Sequence, residues 1–226
     1  ASDGATGTTL ASYFRNRDDI LEFYPLDTSN ITHWNTAFRG CSFTSFPALD
    51  FSSAEILSEV FKTTHITSFP LVDTSNVRNA NQAFYSCTHL SSFPALDLSQ
   101  GNSFTSTWQG CSALTSFPAG VKLGTAVSGV VNFQQAWRQS GLTSFSTPLP
   151  TATKVKSTWQ QCTSLTDFSA DVFSNWNPSS IQSSVFTSAW DNCTSLTAQS
   201  VENILTSIDA SGKYGTATGA AGGGSI

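Results

Sequence analysis

Histidine, cysteine and aspartate are the residue types through which this chain could do chemistry, and each recurs at a readable spacing. His65 and His89 fill the same slot, one residue before Ile66 and Leu90. On stacked repeats their imidazoles would lie about 5 Å apart, close enough to share a metal. No third ligand stands at a fixed offset, so two exposed turn residues are the expectation. Cys41, Cys87, Cys111, Cys162 and Cys193 each fall three residues after an aromatic. An odd number at that spacing does not read as a disulfide framework, and no Cys-x-x-Cys exists to suggest zinc. A ladder of free thiols is expected. Asp27, Asp50, Asp73 and Asp97 form a row with one carboxylate per repeat. That is few oxygens for calcium, so the aspartates are expected to cap helices. No metal site and no cofactor follow from these residues.

Catalytic patterns are missing as well. The chain has no Gly-x-Ser-x-Gly, His-Glu-x-x-His, P-loop or Gly-x-Gly-x-x-Gly run. It carries 36 serines and 29 threonines, but a nucleophile needs a positioned base and there are only three histidines. No catalytic residue is expected, and an enzyme is the least supported class. Ten Lys and Arg against a net charge of −5 cannot build a phosphate-binding surface, which excludes nucleic acid as a partner. No apolar run reaches the ~18 residues of a membrane span. Charged residues make up 11%, under half the usual ~25%, while 39% hydrophobic content can form a core. Methionine is absent and no signal peptide is visible, so a chain processed or excised from a longer product is expected.

Positioning falls to an internal repeat. The runs Phe84-Tyr-Ser-Cys87-Thr-His-Leu90-Ser-Ser-Phe93-Pro94 and Trp108-Gln-Gly-Cys111-Ser-Ala-Leu114-Thr-Ser-Phe117-Pro118 are its clearest copies. The leading aromatics are Phe14, Phe38, Phe61, Phe84, Trp108, Trp137, Trp159 and Trp190, at intervals of 24, 23, 23, 24, 29, 22 and 31. A unit this short buries its apolar residues only by stacking on neighbours. Apolar residues stand seven and four before the aromatic, as in Ile31, Trp34, Phe38 and Val77, Ala80, Phe84, which predicts one face of a short helix. The following Leu-x-x-Phe-Pro predicts a short strand closed by proline. The spacing therefore predicts an α/β solenoid of about eight strand–turn–helix coils, with one parallel sheet and one stack of helices.

The run Ala83-Phe-Tyr-Ser-Cys-Thr-His-Leu-Ser-Ser-Phe-Pro-Ala-Leu-Asp97, with Asp73-Thr-Ser-Asn-Val77 upstream, resembles the BspA-like (DUF285-type) leucine-rich repeats. Such repeats occur in bacterial surface proteins and lipoproteins and in virion-associated proteins of some marine phages. The resemblance covers roughly residues 10–209. It implies a leucine-rich-repeat fold, attachment at a cell surface and adhesion, and it brings no shared catalytic residues. This chain uses Phe where many relatives use Leu or Ile, and Trp in its later repeats.

Strand alternation predicts that the residues before and after each strand Phe face outward: Ser45, Ser68, Ser92, Ser116 and Ser144 before it, with Asp167 and Ala198 in the later repeats, and Pro47, Pro70, Pro94 and Pro118 after it. Such a face could hydrogen-bond sugars or meet a flat partner, although a solvated sheet needs small polar residues anyway. Thr44, Thr67, Thr115, Thr143, Thr166 and Thr197 form a neighbouring file. Regular threonines can suit ice, but alternation should turn Thr and Ser to opposite sides. Insertions around 120–129 and 174–183 break the rhythm, and the second carries Trp176, either an exposed anchor or a plug.

Residues 1–9 are expected to be a polar arm and 10–209 the repeat domain. Ser200 should cap a helix within 200–209 that closes the open end. The Gly-rich 210–226 should be a tail or linker. The functional expectation is a non-enzymatic extracellular, cell-surface or virion module for adhesion or recognition of a protein or glycan, touching it at Ser45 to Ser144 and Trp176. The alternative is a purely structural subunit of a virion, fibre or sheath, with other copies of itself as partners.

Overall fold

Two files of aromatic rings run through the core and dictate how one repeat sits on the next. The computed structural model describes residues 9–20, 26–126, 129–178, 180–181 and 184–213; most of the expected arm and tail lies outside them. The leading aromatics lie face to face in two stretches, the first with Phe14 5.3 Å from Phe38, Phe38 5.6 Å from Phe61 and Phe61 5.4 Å from Phe84. Trp108 to Trp137, Trp137 to Trp159 and Trp159 to Trp190 follow at 5.1, 5.8 and 5.4 Å. Phe46, Phe69, Phe93, Phe117, Phe145 and Phe168 make the second file at 5.5 to 6.3 Å. The two files meet edge to face, from Phe46 against Phe61 at 4.6 Å to Phe168 against Trp190 at 5.6 Å. Positive ring edges thus meet negative ring faces all along the core, worth about 0.5–1.5 kcal/mol per pair beyond burial. Aliphatic side chains in those slots would lack this directional contact.

The backbone joins each repeat to the next in parallel. Bridges link Thr9 to His33, His33 to Ile56, Ile56 to Asn79, Asn79 to Ser103, Ser103 to Asn132 and Asn132 to Lys154. Strands β1 (Asp97–Leu98) and β2 (Lys122–Leu123) pair with Asp97 opposite Lys122. Strands β3 (Ser144–Phe145) and β4 (Asp167–Phe168) pair with Ser144 opposite Asp167, and a further bridge joins Ser68 to Ser92. Strand pairing is therefore confined to two-residue segments and single bridges.

Where the sequence predicts a helix in every repeat, the described residues form trains of turns. The residues two before and two after each leading aromatic have positive φ: Thr36 and Gly40 around Phe38, Gln82 and Ser86 around Phe84, Gln135 and Gln139 around Trp137. A left-handed residue every fourth position ends any α-helix. It also turns alternate N–H groups out of the repeat: Thr36, Phe38 and Gly40 donate to the carbonyls of Ser58, Val60 and Lys62 at 2.9, 3.0 and 2.9 Å. The intervening Ala37, Arg39 and Cys41 close turns onto Trp34, Thr36 and Phe38. Every second N–H thus ties one repeat to the next, a bond a helix would have kept to itself.

The aspartates correct accordingly, from helix caps to turn caps. Asp27, Asp50, Asp73 and Asp97 accept the N–H of the serine two residues on, at 3.1, 2.8, 2.9 and 3.0 Å. The single α-helix among the described residues, α1 (Ala198–Ala210), is capped by Thr197, whose Oγ1 accepts the Ser200 N–H at 3.2 Å. Ser200, expected as the cap, instead bridges to the last strand: its hydroxyl donates to the Thr166 carbonyl and accepts the Phe168 N–H, both at 2.9 Å. Asn203 Nδ2 donates to the Phe168 carbonyl at 2.9 Å, so α1 covers the outer edge of β4.

Candidate functional site

Ser45, Ser68, Ser92, Ser116 and Ser144 are all exposed, each beside a buried Phe of the second aromatic file. The core file thus fixes where these serines stand, and pairing between repeats spaces neighbours by ~4.8 Å. None of the five hydroxyls has a hydrogen-bond partner among the described residues. The prolines expected beside them are half-buried.

The threonine file behaves differently. Thr44, Thr67, Thr115 and Thr143 are exposed alongside the serines, where alternation predicts the opposite face. The Thr-Ser segment pairs as strand only at the Ser68–Ser92 bridge and at Ser144 in β3, so the period of two does not carry through it. Thr67 donates both its N–H and its hydroxyl to the Thr44 carbonyl, at 3.0 and 3.3 Å. Thr143 does the same to Thr115, Thr166 to Thr143 and Thr197 to Thr166. The hydroxyls of Thr67, Thr143, Thr166 and Thr197 hold the stack together, while those of Thr44 and Thr115 stay unbonded among the described residues, as the serine hydroxyls do.

Trp176 is the one site residue the structure removes from this surface. It is 1% exposed, and its Nε1 donates to the Ala152 carbonyl at 2.7 Å. Its ring lies 5.2 Å from Phe186 and 6.2 Å from Phe173. The insertion folds its indole back as a plug, because a large apolar ring with one donor gains burial and a carbonyl there together.

The cysteines are free, buried and uniform in contact. Each thiol donates to the carbonyl of the leading aromatic one repeat earlier: Cys41 to Phe14, Cys87 to Phe61, Cys111 to Phe84, Cys162 to Trp137 and Cys193 to Trp159, at 2.9 to 3.2 Å. Burial pushes Cys87 up to about 11 and Cys193 up to about 12, and holds Cys111 well above the ordinary thiol value. Neutral thiols of this kind are poor nucleophiles and poor metal ligands. His65 and His89 lie exposed with ring centroids 5.1 Å apart. Among the described residues no three His, Cys, Asp or Glu side chains converge as a metal site, and no helix is long and apolar enough to cross a membrane.

Comparison with family models, curated proteins and solved structures gave no match.

Proposed function

We propose that this chain is a BspA-like leucine-rich-repeat solenoid, and that it serves as a non-enzymatic extracellular or virion surface module recognising a protein or glycan through its serine face. One observation carries the reading: five exposed serines, in five successive repeats, keep their hydroxyls unbonded among the described residues, while Thr67, Ser91 and Thr143 beside three of them bond theirs to the stack. A file of hydroxyls beside an uncharged surface suits a sugar chain or a flat protein face, each contact being weak and the sum extended. With Trp176 buried, no aromatic anchor belongs to the site.

A glycan array probed with the chain, followed by titration of the best ligand, tests this. The triple change Ser68→Arg, Ser92→Arg and Ser116→Arg should weaken that binding by about tenfold or more by covering the face. It should leave the melting temperature near that of the parent. Unchanged binding in the triple variant would place recognition elsewhere and overturn the reading.

A further inference from the structure

Each turn train hands its alternate N–H groups forward to the carbonyls of the next. In the penultimate train, Ser157, Trp159 and Gln161 donate to Thr187, Ala189 and Asp191 at 2.9, 2.9 and 2.8 Å. The corresponding donors of the last train are Ser188, Trp190 and Asn192, and their N–H groups have no acceptor among the described residues. At the other end, Leu10, Ser12, Phe14 and Asn16 donate forward to His33, Asn35, Ala37 and Arg39. The matching carbonyls of that first train, on Ala11, Tyr13 and Arg15, accept nothing among the described residues. Among the described residues, the last turn train is thus an edge of unpaired donors and the first an edge of unpaired acceptors at the same spacing.

The two halves of the C-terminal end are treated differently. Helix α1 covers the strand half, with Thr197, Ser200 and Asn203 saturating Thr166 and Phe168. Over the turn half it leaves a cavity of about 500 Å³ lined by Trp190, Asp191, Asn192, Val201 and Leu205. Leu205 is 43% exposed there, and Tyr13 is 66% exposed at the opposite end.

We infer that copies of this chain join head to tail, the Ser188–Asn192 turn edge of one donating to the Ala11–Arg15 turn edge of the next. Its register is the one used inside the chain: Ser188 to Ala11, Trp190 to Tyr13, Asn192 to Arg15. Phe14, half-buried and stacked on Phe38, and Trp190, buried where it lines the cavity, then hold equivalent places on the two sides of the junction. Charge agrees with this register. Arg15 and Asp191, both exposed, hold the same place one residue after the leading aromatic, so the junction sets the guanidinium beside the carboxylate. Unpaired edges template pairing with another chain, and a head-to-tail contact leaves both outer ends open for further copies. The junction uses neither the serine face nor the reading of it given above.

Sedimentation of the full chain over a concentration series reaching about 1 mM tests the junction. The weight-average mass should rise with concentration to about twice the 24.1 kDa chain mass or more. Arg15→Asp alone places like charges at every junction, as does Asp191→Arg alone, and each should remain monomeric. An equimolar mixture of the two variants restores opposite charges at every mixed junction and should associate again. A parent chain that stays monomeric at all concentrations overturns the inference. So do single variants that associate as the parent does, or a mixture of folded variants that fails to associate. Should either reversal unfold the chain, Arg15→Gln and Asp191→Asn replace it, and each must lower the association several-fold. Protection of the Ser188, Trp190 and Asn192 amides in a monomer would identify another segment of the same chain as their cover, and would likewise overturn it.

Discussion

Tryptophan serves two purposes at the residue scale. Trp34 and Trp176 donate their indole N–H to the carbonyls of Ile31 and Ala152. Trp108, Trp137, Trp159 and Trp190 bury theirs without a partner among the described residues, while their rings stack in the file. Trp137→Ala should therefore cost about 3–5 kcal/mol through the cavity it leaves. Trp137→Phe should cost only about 1 kcal/mol in urea titration, since it keeps a ring in the file and removes an unsatisfied donor. An equal loss in both variants would show that indole volume alone matters there. The thiols give a pH prediction whose sign follows from their raised folded values. They bind a proton in the fold that the unfolded chain releases near pH 8.5, so their contribution is complete below that pH and lost as pH climbs toward 11. Each fully buried thiol should lower the unfolding free energy by about 1.4 kcal/mol per pH unit across that window. Denaturation midpoints measured from pH 8 to 10.5 should fall, and fall less in Cys87→Ser or Cys111→Ala. The position of every cysteine was plain in the sequence, three after its aromatic. Its acceptor was not, because a carbonyl one repeat away leaves no mark on residue type.

Left-handed backbone is what separates the predicted helix from the observed turn train at the scale of the element. The apolar offsets of seven and four are real, and Ile31, Trp34 and Phe38 do face the core. Turns repeating every four residues present the same side that a helix would, so periodicity alone cannot tell them apart. The residue types at the left-handed positions were the available signal: Gly40, Gly110, Asn16, Asn192 and a run of Ser and Gln. Most lack a Cβ branch, yet Thr36 and Thr63 carry one. Thr63 is exposed, with φ of 59°. Thr63→Gly should raise the urea midpoint, with a gain of about 1 kcal/mol from relief of that strain. Gly110→Ala should act in the opposite sense, since φ is 71–74° at the two turn glycines and a Cβ at Gly110 comes within 3.2 Å of Ser86 Oγ. The closing helix gives a third test. Ser200→Ala leaves the Phe168 N–H without its acceptor and takes one donor from the Thr166 carbonyl, a loss of about 1–3 kcal/mol. Ser200 was read as the cap because serine before an apolar run is the usual signal, and Thr197 three residues earlier satisfies the same rule.

At the scale of the whole molecule, backbone hydrogen bonds and ring contacts among the described residues run chiefly from one repeat to the next, as in a one-dimensional array. For such an array, stability is the sum of the repeats plus the junctions between them, and openings start where one junction is missing. The first turn train has one neighbour, Phe14 is only half-buried, and Tyr13 and Arg15 stand exposed. The middle trains have neighbours on both sides, with Phe61, Trp108 and Trp137 enclosed between rings of adjacent repeats. Hydrogen exchange should therefore be graded along the chain. The forward-donating amides of Leu57, Glu59, Phe61 and Thr63, and of Phe104, Ser106, Trp108 and Gly110, should be protected close to the global unfolding limit. Those of Leu10, Ser12 and Phe14 should exchange through cheaper local opening, at least about tenfold faster. Ser188, Trp190 and Asn192 sit at the other extreme in the monomer, because their N–H groups have no acceptor among the described residues, even though Trp190 itself is buried. Uniform protection from Leu10 to Gln161 would mean that the array opens only as one unit. Coupling across every ring-to-ring contact would then have to exceed the stability of any single repeat.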